Sequence, residues 1–288
     1  MRPLSGAASL PAARAPLPID PSPPSLVAGV AARRPGRLYV PRWLWAVGPG
    51  LIVMLADTDA GSVVTAAQSG ARWGYRLLLL ELILIPILYV VQELTARLGI
   101  ATGRGHAELI RLHFGVRWAW FSVSTLVVVS IGALVTELSG LAGAGLVFGI
   151  PAPVTVGAGV VLLVLIVWTG SYRSVERMAL LLGAFELAFL VVAWRAQPDL
   201  SFMARASLSM PLGDRGYLYL AAANVGAVVM PWMIFYQQSA VVDKGLQRRD
   251  LGAARADTAI GAVITQAIMI AILVATAATI GKIGRAHV

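Results

Sequence analysis

Residues 55–62 read Leu-Ala-Asp-Thr-Asp-Ala-Gly-Ser, and they place two carboxylates midway through an apolar run that begins at Trp43. Asp59 lies 16 residues after Trp43, or about 24 Å along a helix. An ionised carboxylate at that depth in a membrane is costly, and the Ala-Gly-Ser tract beside it favours unwinding. In an unwound segment, Asp57 and Asp59 can both face one cavity. This pattern is typical of an ion site in a broken transmembrane helix, so the first hypothesis is a transporter.

The composition predicts a polytopic membrane protein. Hydrophobic residues make up 58% of the chain and charged residues 13%, and the mean hydropathy is +0.78. Soluble domains carry about 25% charged residues. The chain has no cysteine, which excludes disulfides and thiolate metal sites. In a soluble protein, the net charge of +9 would suggest nucleic-acid binding. Here the basic residues lie in particular loops, as the positive-inside rule describes for membrane proteins. The expected partner is therefore the lipid bilayer and not nucleic acid.

Seven apolar segments are long enough to cross a bilayer, and they predict helices because they are too long and too uniformly apolar for barrel strands. They cover residues 43–70, 77–98, 118–147, 153–170, 177–195, 216–241 and 256–281. We therefore expect an all-α transmembrane domain over 42–282. Residues 1–41 predict a disordered, basic, Pro- and Ala-rich tail. Residues 283–288 match one reading frame of a common sequencing adapter, and we expect them to be a non-native tail.

The distribution of Lys and Arg predicts the orientation. Basic residues concentrate in the tail and in the loops after the second, fourth and sixth spans, whereas the alternate loops carry few. By the positive-inside rule, this asymmetry predicts a multi-pass protein of the cell membrane with a cytoplasmic N-terminus.

A second broken helix is predicted in the sixth span, where Ala227-Val-Val-Met230-Pro231 interrupts the apolar run. Proline removes one backbone donor and frees a carbonyl near position 227. The Met230 thioether is a soft ligand that favours transition metals over Mg²⁺ or Ca²⁺. A Met-Pro kink alone is also consistent with ordinary packing. Paired with the acidic break in the first span, it matches the two broken helices of inverted-repeat transporters.

Four glutamates lie within the predicted spans. Glu137 is central in the third span and is a candidate for a proton pathway. Glu186 is central in the fifth span, without an assigned role. Glu81 and Glu93 lie near the ends of the second span, where we expect their carboxylates to reach the interface. The sequence has no Ser/His/Asp set, phosphate loop or His-rich box, so we expect neither an enzyme nor a cofactor.

Ordered motifs between about 43 and 281 resemble the Nramp family of divalent-metal transporters. They are Gly48-Pro49-Gly50, Asp59-Ala60-Gly61-Ser62, Gly70-Ala71-Arg72-Trp73-Gly74-Tyr75, Arg97-Leu98-Gly99 with Thr102-Gly103, Tyr172-Arg173 with Glu176, and Ala227 with Met230-Pro231. The resemblance implies the LeuT-type inverted-repeat fold, with helices 1 and 6 discontinuous and spans one to five mirrored by six to ten. About seven of those helices are present, which corresponds to the first repeat and the start of the second.

The resemblance also implies a function and a site. The function is secondary transport that imports Mn²⁺ or Fe²⁺ by alternating access with protons as the coupled ion. The metal is the substrate, and its implied ligands are Asp59, Ser62, the Ala227 carbonyl and the Met230 sulfur. Because Ser62 replaces the family's Asn, it supplies a shorter neutral oxygen.

Three departures from the family pattern lie at positions that the resemblance associates with proton transfer. Trp232 stands where the family has His, Gly140 where Glu is usual, and Glu137 where Asp is usual. Fewer titratable groups remain, so we expect metal transport with weakened proton coupling. The alternatives are a Mg²⁺ or amino-acid carrier of the same fold, and a membrane-embedded enzyme or receptor. Since spans eight to ten of that fold are missing, we expect this chain alone not to transport.

Overall fold

The computed structural model describes residues 48–169 and 183–285, and within those ranges every regular element is a helix, as the composition predicts. The tail 1–41, the 172–176 motif and the last three residues lie outside the described ranges. The helices are α1 (Pro49–Asp57), α2 (Ala60–Trp73), α3 (Leu78–Thr102), α4 (His106–Phe114), α5 (Val116–Val147), α6 (Ala152–Thr169), α7 (Ala188–Arg195), α8 (Leu200–Ser207), α9 (Arg215–Val228), α10 (Pro231–Asp243) and α11 (Leu251–Arg285), with 3-10 turns at Gly74–Leu77 and Arg248–Asp250.

Four helical stretches are long and apolar enough to cross a membrane, judged by length and composition in the described ranges. They are Ala60–Thr102, Val116–Val147, Arg215–Asp243 and Arg248–Ile280. The first contains both α2 and α3, joined by a 3-10 turn. A shorter apolar helix, Ala152–Ile166, falls on the predicted fourth span. The predicted fifth span, 177–195, lies partly outside the described residues and ends in α7.

Two short helices occupy segments that the hydropathy pattern predicts as loops. α4 follows the second span and α8 follows the fifth. α8 begins at a capped position, because the Asp199 carboxylate accepts hydrogen bonds from the N–H groups of Ser201 and Phe202. Helices of this length are too short to span a bilayer, so a search for long apolar runs misses them.

Both predicted helix breaks are present. α1 ends at Asp57 and α2 begins at Ala60, while α9 ends at Val228 and α10 begins at Pro231. The residue before each second half-helix has extended backbone, with ψ of 172° at Asp59 and 140° at Met230. The first and sixth helices are therefore discontinuous, as the sequence predicts.

The helix α11 packs against α1, α2, α3 and α7 and is the core of the described bundle. Ile268, Met269 and Leu273 are almost completely buried, which fits a helix that is apolar on most of its faces. α2 approaches α11 closely at Gly70, where an added Cβ would overlap Thr276 and the Leu273 carbonyl.

We predict that Gly70→Ala destabilises the chain by about 1–3 kcal/mol, because the methyl group overpacks the contact between α2 and α11. Thermal unfolding of the purified chain in detergent micelles measures this effect. The control is Gly132→Ala on α5, where an added Cβ meets no atom within 4 Å. Equal shifts in Tm for the two variants would contradict the close contact.

Candidate metal site

Two carboxylates cap the start of α2 at the first helix break. Asp59 Oδ1 accepts a hydrogen bond from the Ser62 N–H at 2.7 Å. Glu137, which reaches over from α5, accepts the Ala60 N–H at 3.1 Å. The first N–H groups of a helix have no partners inside it, so these bonds stabilise the break. The proton-pathway candidate Glu137 is thus also a second cap on α2.

The second break contributes a backbone carbonyl and a thioether. Pro231 has no N–H, so the Ala227 carbonyl lacks its usual helical donor. The Ser62 hydroxyl lies 3.5 Å from that carbonyl oxygen and links the two breaks. Met230 is 8% exposed and packs in a cluster with Met54 and other apolar side chains.

One cavity of about 930 Å³ is lined by all four residues implied as ligands, namely Asp59, Ser62, Ala227 and Met230. It lies between α2, α5 and α9. A neighbouring cavity of about 520 Å³ is also lined by Asp59, here together with Glu137 and Trp232. The structure therefore brings residues that are up to 171 positions apart in sequence to one place, with Asp59 facing both cavities.

The four residues implied as metal ligands include only one charged group, the Asp59 carboxylate. In the described part of the chain, no group of three or more His, Cys, Asp or Glu side chains is arranged to hold a metal ion. A cation at the four residues would meet one carboxylate, neutral oxygens and a sulfur. The C-terminal ends of α1 and α9 lie at the breaks, and helix C-termini carry partial negative charge that attracts cations.

The departures from the Nramp pattern lie around the start of α2 and the smaller cavity. An added Cβ on Gly140 would lie 2.5 Å from the Ala60 Cβ, so α5 and the start of α2 approach closely at these two small residues. An acidic side chain at 140 does not fit this packing. Trp232, at the position of the family's His, lines the cavity next to Glu137 and stacks edge-on with Tyr236. An indole offers one N–H donor and does not titrate.

Asp57 does not share the cavity with Asp59, and the expectation that both face it is wrong. α1 stays helical through Asp57, so the unwound part is shorter than the sequence suggests. Asp57 is 2% exposed, and its Oδ1 has no hydrogen-bond partner among the described residues. Glu186 lies against Thr58 in the same break, with an Oε2 that likewise has no partner there.

Glu81 and Glu93, which are expected to reach the interface, are both buried within the bundle. Glu81 is fully buried. Glu93 is 5% exposed and accepts hydrogen bonds from the guanidinium groups of Arg97 on α3 and Arg255 on α11. A buried carboxylate with two cationic partners keeps its charge without contact with water. The pairing is not visible in sequence, because Arg255 lies 162 residues away.

Sequence reasoning missed Asp257 entirely. Its Oδ2 accepts the N–H of Gly50 at 2.8 Å, and the N–H of Leu51 at 3.4 Å, at the start of α1. α1 has Gly48 at its N-cap and no capping side chain of its own. The missing cap is the sequence feature that indicates a distant partner, because the free N–H groups of a buried helix start need an acceptor from another part of the chain.

We predict that Glu137→Ala lowers the free energy of unfolding by about 1 kcal/mol, because the Ala60 N–H loses its acceptor. Glu137→Gln retains a carboxamide oxygen and should lose less. Chemical denaturation in micelles followed by circular dichroism measures both. The control Glu108→Ala removes a half-exposed carboxylate whose ion pair with Arg104 lies at the surface, and it should have little effect. A neutral Glu137→Ala variant would show that the carboxylate does not support the break.

Comparisons with known proteins identify relatives over most of the chain. The family model described as "Natural resistance-associated macrophage protein-like", or Nramp, matches residues 50–288. The divalent metal cation transporter MntH of Chromohalobacter salexigens is 31% identical over 263 residues, which cover 86% of this chain and 60% of that protein. MntH of Yersinia pestis is 33% identical over 211 residues, which cover 69% of this chain and 49% of that protein.

Solved structures match the fold. A mutant of the Eremococcus coleocola manganese transporter superposes with a TM-score of 0.70 at 22% identity, covering 85% of this chain and 53% of that one. The same transporter in complex with an aromatic bis-isothiourea substituted compound gives 0.68 at 21%, covering 83% and 53%. The chain therefore spans between 49% and 60% of the length of these proteins.

Proposed function

The chain belongs to the Nramp family, and from that premise we propose that it takes part in importing a divalent transition metal, Mn²⁺ or Fe²⁺, by alternating access. Its fold is the LeuT-type inverted-repeat fold, with the first and sixth helices discontinuous. The proposed ligands are Asp59, Ser62, the Ala227 carbonyl and the Met230 sulfur.

The observation that carries the proposal is the link between the two breaks. Ser62 contacts Asp59 through its N–H and the Ala227 carbonyl through its hydroxyl. Met230 lines the same cavity. Carboxylate, carbonyl, hydroxyl and thioether groups are all metal ligands, and here they come from the ends of two half-helices.

Electrostatics also favours a divalent cation. Glu137 lies next to Asp59, so two carboxylates share the start of α2. Their repulsion in a bundle of low dielectric is relieved by a nearby cation with two positive charges. Only one of the two, Asp59, lines the larger cavity, which makes it the principal ligand.

We propose that coupling to protons is weaker than the family pattern implies. Beside the site, Trp232 and Gly140 supply no titratable group, and Glu137 is the remaining proton-pathway candidate. Glu137 is engaged by the Ala60 N–H, so moving its proton would disturb the cap on α2. The proposed location is the cell membrane, with the basic N-terminal tail on the cytoplasmic side.

Mg²⁺ is the second candidate substrate. Ser62 is shorter than the family's Asn, so one protein oxygen lies farther from the ion and water can replace it. A wetter site suits Mg²⁺, which retains several waters when bound. Met230 distinguishes the two candidates, because a hard, strongly hydrated cation gains little from a thioether.

We predict that the purified chain binds Mn²⁺ more tightly than Mg²⁺ and that Asp59→Asn weakens Mn²⁺ binding about 100-fold, since the site loses its only charged ligand. Met230→Ala should reduce the preference for Mn²⁺ over Mg²⁺. Isothermal titration calorimetry in micelles measures both.

The matched control is Asp57→Asn, a neighbouring buried aspartate that does not line the cavity. It should bind Mn²⁺ as the unmodified chain does. Equal losses for Asp57→Asn and Asp59→Asn would show that the ligand assignment is wrong. Tighter binding of Mg²⁺ than of Mn²⁺ would favour the second candidate.

A further inference from the structure

The short half-helix α1 is held at its start by a side chain from another helix. α1 has nine residues, and its start reads Gly48-Pro49-Gly50, with Gly48 at the N-cap. The acceptor for the Gly50 N–H, at 2.8 Å, is Asp257 Oδ2 of α11. A carboxylate at a helix N-terminus satisfies its free N–H groups and interacts favourably with the helix dipole.

The contact leaves no space for a side chain at position 50. An added Cβ on Gly50 would lie 2.8 Å from Asp257 Oδ2 and 2.9 Å from Thr258 Oγ1. The glycine therefore allows the carboxylate to reach the α1 backbone directly. Both partners are required for this contact, Asp257 for its accepting oxygen and Gly50 for its lack of a side chain.

Neighbouring residues of α11 hold two further helices at the same end of the bundle. The Arg255 guanidinium donates to Glu93 of α3 at 2.7 Å. The Gln237 side chain of α10 donates to the Thr258 hydroxyl at 3.1 Å. Residues 255–258 of α11 thus contact α1, α3 and α10 by side-chain hydrogen bonds.

This end of the bundle lies on the α1 side of the helix breaks, away from the larger cavity. The larger cavity extends from Asp59 along α2 to Gln68 and is lined on α9 back to Tyr219. On the other side of the breaks, Val53 of α1 and Met233 of α10 are fully buried in one apolar cluster. Asp257 binds the start of α1, the end of this half-helix that lies away from the breaks.

We propose that Asp257 is a positioning residue, which fixes half-helix α1 against α11, keeps the α1 side of the site closed and so holds Asp59 at the cavity. α1 is connected to Asp59 through Thr58, so a displacement of its axis moves the carboxylate. The part of the proposal that concerns Asp59 rests on the proposed function, whereas the hold on α1 does not.

Cysteine labelling tests the proposal cleanly because the chain has no native cysteine. Val53→Cys reports on the α1 side of the breaks, where Val53 is fully buried, and Gln68→Cys reports on the larger cavity. A membrane-impermeant maleimide is applied to the chain in micelles without metal. Asp257→Ala should accelerate labelling of Val53→Cys about tenfold, the effect of losing a hydrogen bond to a charged acceptor, and leave Gln68→Cys unchanged.

Three further variants sharpen the test. Asp257→Asn retains an oxygen that accepts the Gly50 N–H and should restore most of the protection. Gly50→Ala disrupts the same contact from α1 and should accelerate labelling of Val53→Cys as much as Asp257→Ala does. The double variant should show no further acceleration. Asp243→Ala, an exposed aspartate at the end of α10, should leave both reporters unchanged.

Unchanged labelling of Val53→Cys in Asp257→Ala would overturn the proposal. So would equal acceleration at both reporters, because it would mean that Asp257 supports the whole fold and not α1 in particular. Calorimetry with Mn²⁺ then tests the link to the site, and Asp257→Ala should bind about tenfold more weakly. If the unmodified chain does not bind Mn²⁺, the proposed function fails, while the labelling result still decides whether Asp257 holds α1.

Discussion

The structure depends on one constraint, which is that the backbone groups freed by a broken helix must find partners inside an apolar bundle. At the first break, the carboxylates of Asp59 and Glu137 accept the N–H groups at the start of α2. At the second, the Ala227 carbonyl faces the Ser62 hydroxyl. The polar atoms that satisfy the breaks are also atoms that bind cations, so the same arrangement stabilises the fold and forms the proposed site.

Local sequence predicts the features whose cause is local. A carboxylate far inside an apolar run predicts the first break, because its charge is costly in the membrane. A Met-Pro pair within another apolar run predicts the second, because proline lacks a backbone N–H donor. Uniformly apolar stretches likewise predict the long helices. Depth in the apolar run does not separate Asp59, which lines the cavity, from Asp57, which does not.

The features that sequence does not predict are contacts between distant residues. Glu93 near a span end is read as reaching water, yet it is buried because Arg255 comes from another helix to pair with it. Asp257 is not singled out by the sequence at all, yet it caps α1. Gly140 is read as a lost acid, and the structure adds a packing reason, since Ala60 occupies the space. In each case, the deciding partner lies on a different helix.

The proposed role of Asp59 is tested most directly by anomalous diffraction from crystals of the chain grown with Mn²⁺. We predict one anomalous peak in the larger cavity, in contact with an Asp59 carboxylate oxygen, the Ala227 carbonyl oxygen and the Met230 sulfur. A Mn²⁺ peak beside Asp57 and Glu186, with none at Asp59, would contradict the assignment of the site.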